Sequence, residues 1–178
     1  MVTRRARTKY AMDTKELLTQ IRLQFRLDWQ GIHGAPHWGR VLDNGLRLSE
    51  RTGARADVVT LFAFIHDSRR QHDGTDSDHG YLAADFALEL RGRCFEIDDM
   101  GMELLTEACR GHSDGLTEAD VTIQTCWDAD RLDLGRVGTR PAPRRLCTPS
   151  ARDPAVIEWA YRRSIGKPAR QLISIGWV

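Results

Sequence analysis

Several marks of common protein classes are missing from this sequence. It has no run of about 18 apolar residues, the length with which a helix crosses a bilayer, so we expect no membrane segment. The four cysteines form neither a CxxC pair nor a dense disulfide spacing, and we expect reduced thiols. The basic start lacks the apolar segment of a secretory signal, which argues against secretion. These absences predict a cytoplasmic protein.

An excess of one charge sign is missing as well. The chain has 26 basic and 25 acidic residues, a net charge of +1, so its overall field does not favour nucleic acid as a partner. The first ten residues hold a local excess of basic side chains, namely Arg4, Arg5, Arg7 and Lys9. We predict that residues 1–12 form a flexible basic arm, although a transit segment or a nucleic-acid contact would also fit its charge.

Helical periodicity dominates the rest of the chain. Neither an internal repeat nor a low-complexity tract is present, and 178 residues with 41% hydrophobic content suit one domain with a sizeable core. Across residues 13–178, which we assign to that domain, apolar side chains recur with the helical period. The pattern predicts helices at 14–27, from Pro36 to a stop at Gly53, and at 58–66, 79–90, 98–110, 118–132 and 154–164. We therefore expect an all-α fold, a single-domain helical bundle.

Two segments are less regular. Residues 58–66 are almost wholly apolar, and a buried strand would fit such a run, but the helical patterns on both sides favour a central helix capped by Asp57. Residues 135–155 hold four of the six prolines and several arginines. We predict an extended Pro/Arg-rich connection near 135–153.

The pair His66-Asp67 is the sharpest chemical feature, because an apolar helix ends there and delivers two metal-competent side chains to one point. Taken alone, the pair also fits a favourable histidine at a helix C-terminus followed by a loop aspartate. The order of the other candidates favours a metal site. Along the chain the candidates are His37, His66, Asp67, His79, His112 and Asp130, each near a predicted helix end.

This order resembles the HD superfamily of metal-dependent phosphohydrolases. Four segments between residues 33 and 136 agree with it in wording and order: His37-Trp38 before Val41, Phe64-Ile65-His66-Asp67, His79-Gly80 before Ala83-Ala84, and Ala129-Asp130-Arg131-Leu132-Asp133. The resemblance implies a helical fold of the HD-domain type. It also implies a primary divalent metal held by His37, His66, Asp67 and Asp130. His79 and His112 stand where members with two metals carry extra histidines, as in the bacterial HD enzymes that hydrolyse diadenosine tetraphosphate.

Two departures narrow the resemblance. Guanosine tetraphosphate hydrolases of the superfamily carry a Glu-Asp pair shortly after the His-Asp, where this chain has Arg69-Arg70 and then Gln71. The Gly-Tyr-Pro motif of its cyclic-dinucleotide phosphodiesterases is absent, since Leu82 follows Gly80-Tyr81. Both departures speak against those two activities.

Several polar residues around the candidates are assigned to substrate or support. His33 precedes His37 by four residues, but Pro36 interrupts a continuous helix, so we expect His33 to contact substrate. His79 is a candidate for phosphate as well as for metal. Asp128 and Asp133 are expected to face solvent or to support the ligands from outside.

The predicted reaction is hydrolysis of a phosphate ester or anhydride, and we expect the substrate to be a nucleotide. We expect Asp67 and Arg70 to be catalytic, with the forked guanidinium of Arg70 clamping a phosphate, although Arg69-Arg70 would also suit a solvated turn. Histidine and carboxylate ligands suit one or two ions of Fe, Mn, Co, Ni or Zn better than Mg. A non-catalytic metal-binding or ligand-sensing domain is the alternative hypothesis, and a helical nucleic-acid-binding module is a third.

Overall fold

Eight α-helices and two 3-10 turns form the computed structural model, which describes residues 12–166. The helices are α1 (Thr14–Gln24), α2 (Ala35–Thr52), α3 (Ala56–Ile65), α4 (His79–Leu90), α5 (Asp99–Gly111), α6 (Val121–Arg131), α7 (Pro149–Arg152) and α8 (Pro154–Ile165). The 3-10 turns, Leu134–Val137 and Pro143–Arg145, lie between α6 and α7. Within these residues β-structure is limited to isolated bridges, so the predicted all-α class is confirmed. The basic arm predicted at residues 1–12 lies outside the described residues except for Met12.

Helix α3 lies at the centre and packs against α2, α4, α5 and α6. Seven of its ten residues are buried, which explains why its sequence is apolar on nearly every face. The central helix predicted at 58–66 is therefore confirmed. The Asp57 cap is wrong, because the helix begins at Ala56 with Arg55 in the cap position. Asp57 lies in the first turn instead, where its carboxylate pairs with Arg55 at 2.7 Å.

The other helix ends follow local backbone chemistry. Helix α2 stops at Gly53 as predicted, because this residue has a φ of 75°, in the left-handed region that favours glycine. Helix α1 ends at Gln24, short of the predicted residue 27, since Phe25 turns into extended backbone. Helix α6 begins at Val121 rather than 118, because the Asp120 side chain accepts a hydrogen bond from the first-turn amide of the helix.

The extended connection predicted near 135–153 is wrong in part, because the segment contains both 3-10 turns and α7. Proline opens α7 and the turn Pro143–Arg145, and its fixed φ suits the first helical position. Apolar side chains of this segment join α8 and the ends of α2 and α6 in a small second core: Leu48, Leu132, Leu146, Ala151, Val156, Ile157 and Ala160.

The main core fills the space around α3. Its largest fully enclosed side chains include Trp38, Trp127 and Phe62. All four cysteines are free thiols and are buried, as expected from their spacing. Among residues 12–166, each helix is too short or too polar to cross a bilayer.

Candidate metal centre

The ends of five helices meet at one point of the bundle and bring six metal-competent side chains together. His37 lies in the first turn of α2, His66 and Asp67 follow α3, His79 opens α4, His112 follows α5, and Asp130 lies in the last turn of α6. Five of these side chains are buried, and that of Asp130 is 14% exposed. The residues predicted as metal ligands are thus neighbours in space.

Four of these side chains form a first group around the Nε2 atom of His37. This atom lies 3.1 Å from His66 Nε2, 3.6 Å from Asp67 Oδ2 and 3.4 Å from Asp130 Oδ1. His66 Nε2 lies 3.8 Å from the same Asp67 oxygen and 3.9 Å from the Asp130 oxygen. Two imidazole nitrogens and two carboxylate oxygens therefore face one small volume.

A second group lies on the other side of Asp67. His79 Nε2 is 2.9 Å from His112 Nε2, and the two nitrogens lie 3.3 and 3.6 Å from Asp67 Oδ1. Asp67 thus presents Oδ2 to the first group and Oδ1 to the second. A carboxylate placed in this way can bridge two cations.

Hydrogen bonds on the far side of each ring fix which nitrogen faces the cluster. The Nδ1 atoms of His66, His79 and His112 each lie at hydrogen-bond distance from a backbone carbonyl oxygen of the preceding turn. A carbonyl oxygen only accepts, so Nδ1 carries a proton, and in the neutral imidazole Nε2 keeps its lone pair. His37 Nδ1 makes the same kind of contact with Asp133 Oδ2 at 2.7 Å. In the neutral form of each ring, Nε2 therefore turns a lone pair toward the cluster.

This arrangement fits a cation in both groups. Two neutral imidazoles that face each other with lone pairs cannot form a hydrogen bond, yet the Nε2 atoms of His37 and His66 lie only 3.1 Å apart. Ligand atoms at about 2.1 Å from one ion are separated by roughly 3.0–3.4 Å in octahedral or tetrahedral geometry. The distances from His37 Nε2, 3.1–3.6 Å, and those within the second group, 2.9–3.6 Å, are close to that range, whereas His66 Nε2 lies 3.8 and 3.9 Å from the carboxylate oxygens of its group. The donor chemistry and the spacing thus agree.

The charge states of the buried histidines follow from burial and from Asp67. Burial lowers the pKa of His66 to about 3, so its imidazole is neutral at neutral pH. Burial also acts to lower the pKa of His112, but the hydrogen bond and the charge of Asp67 outweigh it and the net pKa is raised. Asp67 stabilises a proton on His112, and a cation that binds His112 must displace that proton.

The two carboxylates of the cluster stay ionised. Burial would raise the pKa of Asp67, but the surrounding imidazoles, with His66 the largest contributor, hold it well below its usual range. The pKa of Asp130 is lowered as well, because the hydrogen bond with His37 and the charge of Arg136 outweigh burial. Buried negative charge beside neutral imidazole nitrogens is the donor set of a divalent transition metal.

Asp133 and Arg40 support the cluster from outside. Asp133 Oδ2 holds the Nδ1 side of the His37 ring, and Arg40 donates to both Asp133 oxygens at 2.6 and 3.0 Å. Such a carboxylate fixes the ring orientation of a ligating histidine and makes it more basic. Of the two roles that the sequence left open for Asp133, the supporting one fits, since the side chain is 1% exposed.

His33 and Asp128 occupy places that the sequence did not indicate. His33 Nδ1 lies 2.8 Å from Asp67 Oδ2, so its ring orients a cluster carboxylate, whereas we expected a contact with substrate. Asp128 is fully buried and accepts hydrogen bonds from the backbone amides of Cys147 and Thr148. It anchors the chain after the second 3-10 turn and neither faces solvent nor touches the cluster residues.

A cavity of about 270 Å³ opens beside the cluster. Asp67, His112 and Asp130 form part of its wall, so both groups of candidate ligands border it. Four arginines also line it: Arg70, Arg131, Arg136 and Arg145. The last three were not predicted as site residues, and only their position within or after the Asp130 segment could have indicated them.

Arg70 and Arg69 point in different directions. The Nη2 atom of Arg70 donates to the Gly74 carbonyl oxygen at 2.9 Å, and its Nη1 lies 3.2 Å from His79 Nε2 and 3.5 Å from Asp67 Oδ1. Arg69 instead donates to Gln24 on the surface and stacks over the Phe86 ring. Of these two arginines, only Arg70 therefore places its guanidinium at the cluster and the cavity.

Comparison with known proteins relates this architecture to a known fold. No family model and no curated protein matches the sequence. The structure is similar to the crystal structure of a predicted HD superfamily hydrolase from an uncultured Thermotogales bacterium, with a TM-score of 0.65 and 24% sequence identity. The match covers 93% of this chain and 94% of that chain. At this identity the likeness shows the fold, and the predicted HD-domain fold is confirmed.

Proposed function

We propose that this protein is a metal-dependent phosphohydrolase that cleaves a phosphate ester or anhydride of a small molecule, in the first instance a nucleotide. The observation that carries the proposal is geometric. Two groups of histidines share Asp67, and both border an arginine-lined cavity. The HD superfamily hydrolase of similar fold supports the same reaction class. A cytoplasmic location stays a prediction from the cysteine pattern.

The cluster residues are assigned to two ions. His37, His66, Asp67 and Asp130 would hold the first ion, and Asp67, His79 and His112 would hold the second. Imidazole nitrogens in both groups favour Fe, Mn, Co, Ni or Zn over Mg. A bound divalent ion supplies Lewis acidity toward a phosphoryl oxygen and makes a water molecule more acidic.

The remaining groups of the cavity act on the substrate. Arg70 is held by Gly74 and lies next to Asp67, so its guanidinium is placed to take phosphoryl oxygens that approach the cluster. Asp67 and Asp130 face the cavity as ionised carboxylates and would repel a phosphate without a cation between them. The cavity therefore suits phosphate only when the cluster is loaded, which links substrate binding to metal.

The test combines metal analysis of the purified protein with a phosphate-release screen over nucleotides and other phosphate esters. We expect bound divalent metal and metal-dependent phosphate release. Asp67→Ala should lose metal at both positions, because its two oxygens serve both groups. His72→Ala is the matched control, since His72 is an exposed loop histidine. Full metal content in Asp67→Ala would contradict the proposed centre, and bound metal without any phosphate release would favour the non-catalytic alternative.

The number of ions is tested separately with His112→Ala. If both groups hold an ion, the wild type should bind two equivalents of manganese and the variant one, because His112 belongs only to the second group. The variant retains His37, His66 and Asp130, so the first ion should stay. A wild type that saturates at one equivalent would rule out the binuclear arrangement and leave the reaction class intact.

A further inference from the structure

A second cavity of about 240 Å³ adjoins the one at the metal centre. We call it the arginine cavity, because its wall contains Arg131, Arg140, Arg144 and Arg145. The other lining residues are Leu134, Thr139, Pro141, Ala142 and Leu146, and none of this wall is acidic. In a chain with a net charge of +1, four arginines around one concave surface are a strong local excess of positive charge.

The two cavities share part of their walls. Arg131, Leu134 and Arg145 line both of them. A molecule with one end beside Asp67 and Asp130 can therefore extend past Arg145 into the arginine cavity. The metal centre and the arginine cavity form neighbouring parts of one basic depression.

Three of these arginines, Arg131, Arg144 and Arg145, have no acidic partner among residues 12–166. Arg144 and Arg145 are exposed, and neither forms an ion pair with any side chain in residues 12–166. Arg140 differs, since it pairs with Glu158 at 2.6 Å. Neighbouring guanidinium groups repel one another, so an unpaired set in a cavity is suited to an anion.

Hydrogen bonds to two buried side chains fix the backbone that carries Arg144 and Arg145. The Arg145 carbonyl oxygen accepts a hydrogen bond from Arg131 Nη1 at 3.0 Å. Immediately after it, the amides of Cys147 and Thr148 donate to the buried Asp128 carboxylate at 2.6 and 2.8 Å. These contacts hold the 3-10 turn Pro143–Arg145 in place, so its backbone need not be ordered when an anion binds.

We infer that the arginine cavity binds a second phosphate group of the substrate. The substrate class is then a small molecule with at least two phosphates, as a phosphoanhydride chain or a bisphosphate, and not a simple monophosphate ester. The inference rests on the proposed function, which places the scissile phosphate at the metal centre. Two anionic groups on one molecule match the metal centre at one end and the unpaired Arg144 and Arg145 at the other.

The test measures binding without turnover. Calorimetry on metal-loaded protein, freed of excess metal, compares a homologous series of alkane diphosphonates with alkyl monophosphonates of the same chain length, neither of which is hydrolysed. We expect the best diphosphonate to bind roughly 10-fold more tightly than its monophosphonate, the effect of one added charge-assisted contact. Arg145→Gln should remove most of this preference and Arg144→Gln part of it. Arg93→Gln, an exposed arginine on the α4–α5 connection, should keep it.

The outcomes separate this inference from the proposed function. A diphosphonate preference that depends on Arg145 supports the second phosphate site even when the screen detects no phosphate release. Equal affinity for mono- and diphosphonates across the series would overturn the inference, and so would an unchanged preference in Arg145→Gln, whatever the screen finds. Stronger competition by a short single-stranded oligonucleotide than by any diphosphonate would also overturn it in favour of nucleic acid. Metal content and thermal unfolding verify that Arg145→Gln is folded.

Discussion

Neighbouring residues with the same side chain can differ completely in surroundings, as Arg69 and Arg70 do. Arg69 reaches across the surface to Gln24, whereas Arg70 turns inward and is 9% exposed. Burial of a guanidinium beside Asp67 and His79 is costly unless its donors are used. The Gly74 carbonyl oxygen accepts a hydrogen bond from Arg70 Nη2, and Nη1 lies beside the cluster at His79 Nε2.

This contrast gives a matched pair of variants. Arg70→Lys should lower kcat/KM by about 1–3 kcal/mol in transition-state stabilisation, since an ammonium cannot offer two fixed donors to two phosphate oxygens. Metal content should stay unchanged, because a guanidinium is not a metal ligand. Arg69→Lys is the control and should behave as the wild type on the substrate that the screen identifies. Equal kcat/KM values for all three proteins would mean that Arg70 does not touch the phosphate.

At the residue scale, the sequence indicated the six candidate ligands but not every contact that they make. The six candidate ligands were recognised from motif order, because such residues recur near helix ends in a characteristic sequence. The contact of His33 with Asp67 was not foreseen, and for Asp133 the sequence left support of the ligands and exposure to solvent open, without indicating His37 as its partner. These two contacts join residues 34 and 96 positions apart, and only the folded backbone decides which way these side chains turn.

At the scale of helices, the centre depends on how closely α4 and α5 approach. A Cβ atom at Gly80 would lie 2.5 Å from the Cys109 carbonyl oxygen, so a side chain here would push the two helices apart. His79 precedes Gly80, and His112 follows the end of α5, so the same contact sets the separation of their Nε2 atoms at 2.9 Å. Helix packing thus determines the geometry of the second group of ligands.

Gly80→Ala tests this dependence. Overpacking against a backbone carbonyl should destabilise the protein by about 1–3 kcal/mol in urea unfolding. Because His79 is displaced with α4, we expect a weaker second manganese equivalent and an unchanged first one. Leu88→Ala is the control on the same helix, since Leu88 is 50% exposed. Wild-type stability and two tight equivalents in Gly80→Ala would show that α4 and α5 adjust freely.

The helices themselves were largely predictable, and the irregular segment was not. Residues 79–90 were predicted with the bounds that α4 has, because the apolar period and the loop before it agree. Residues 135–155 were predicted as an extended connection from their prolines. Proline at a first helical position opens a turn rather than preventing one, and Asp128 anchors the segment from the preceding helix, α6. Neither the turn nor the anchor leaves a periodic signal, and the arginines of the second cavity were missed with them.

At the scale of the whole molecule, the candidate centre connects elements that are distant in the chain. Its candidate ligands come from α2, α4 and α6 and from the residues after α3 and α5, so one ion in each group would tie five helices together. Without an ion, lone pairs of His37 and His66 face each other in the same buried volume. The folded state should therefore be the state that binds metal, and metal should stabilise it.

Chelation should accordingly lower the melting temperature of the wild type. An ion present at about 100 times its Kd stabilises the native state by about 2.7 kcal/mol. For a chain of this size that corresponds to a loss of roughly 5–10 °C when the ion is removed. Scanning calorimetry with and without a chelator measures the loss, and added manganese should reverse it. Asp67→Ala should show no response to the chelator, because neither group keeps a complete set of ligands, whereas His72→Ala should respond as the wild type does. A metal-containing wild type whose melting temperature ignores chelation would show that the buried cluster is stable without its ion, and the lone-pair argument would then fail.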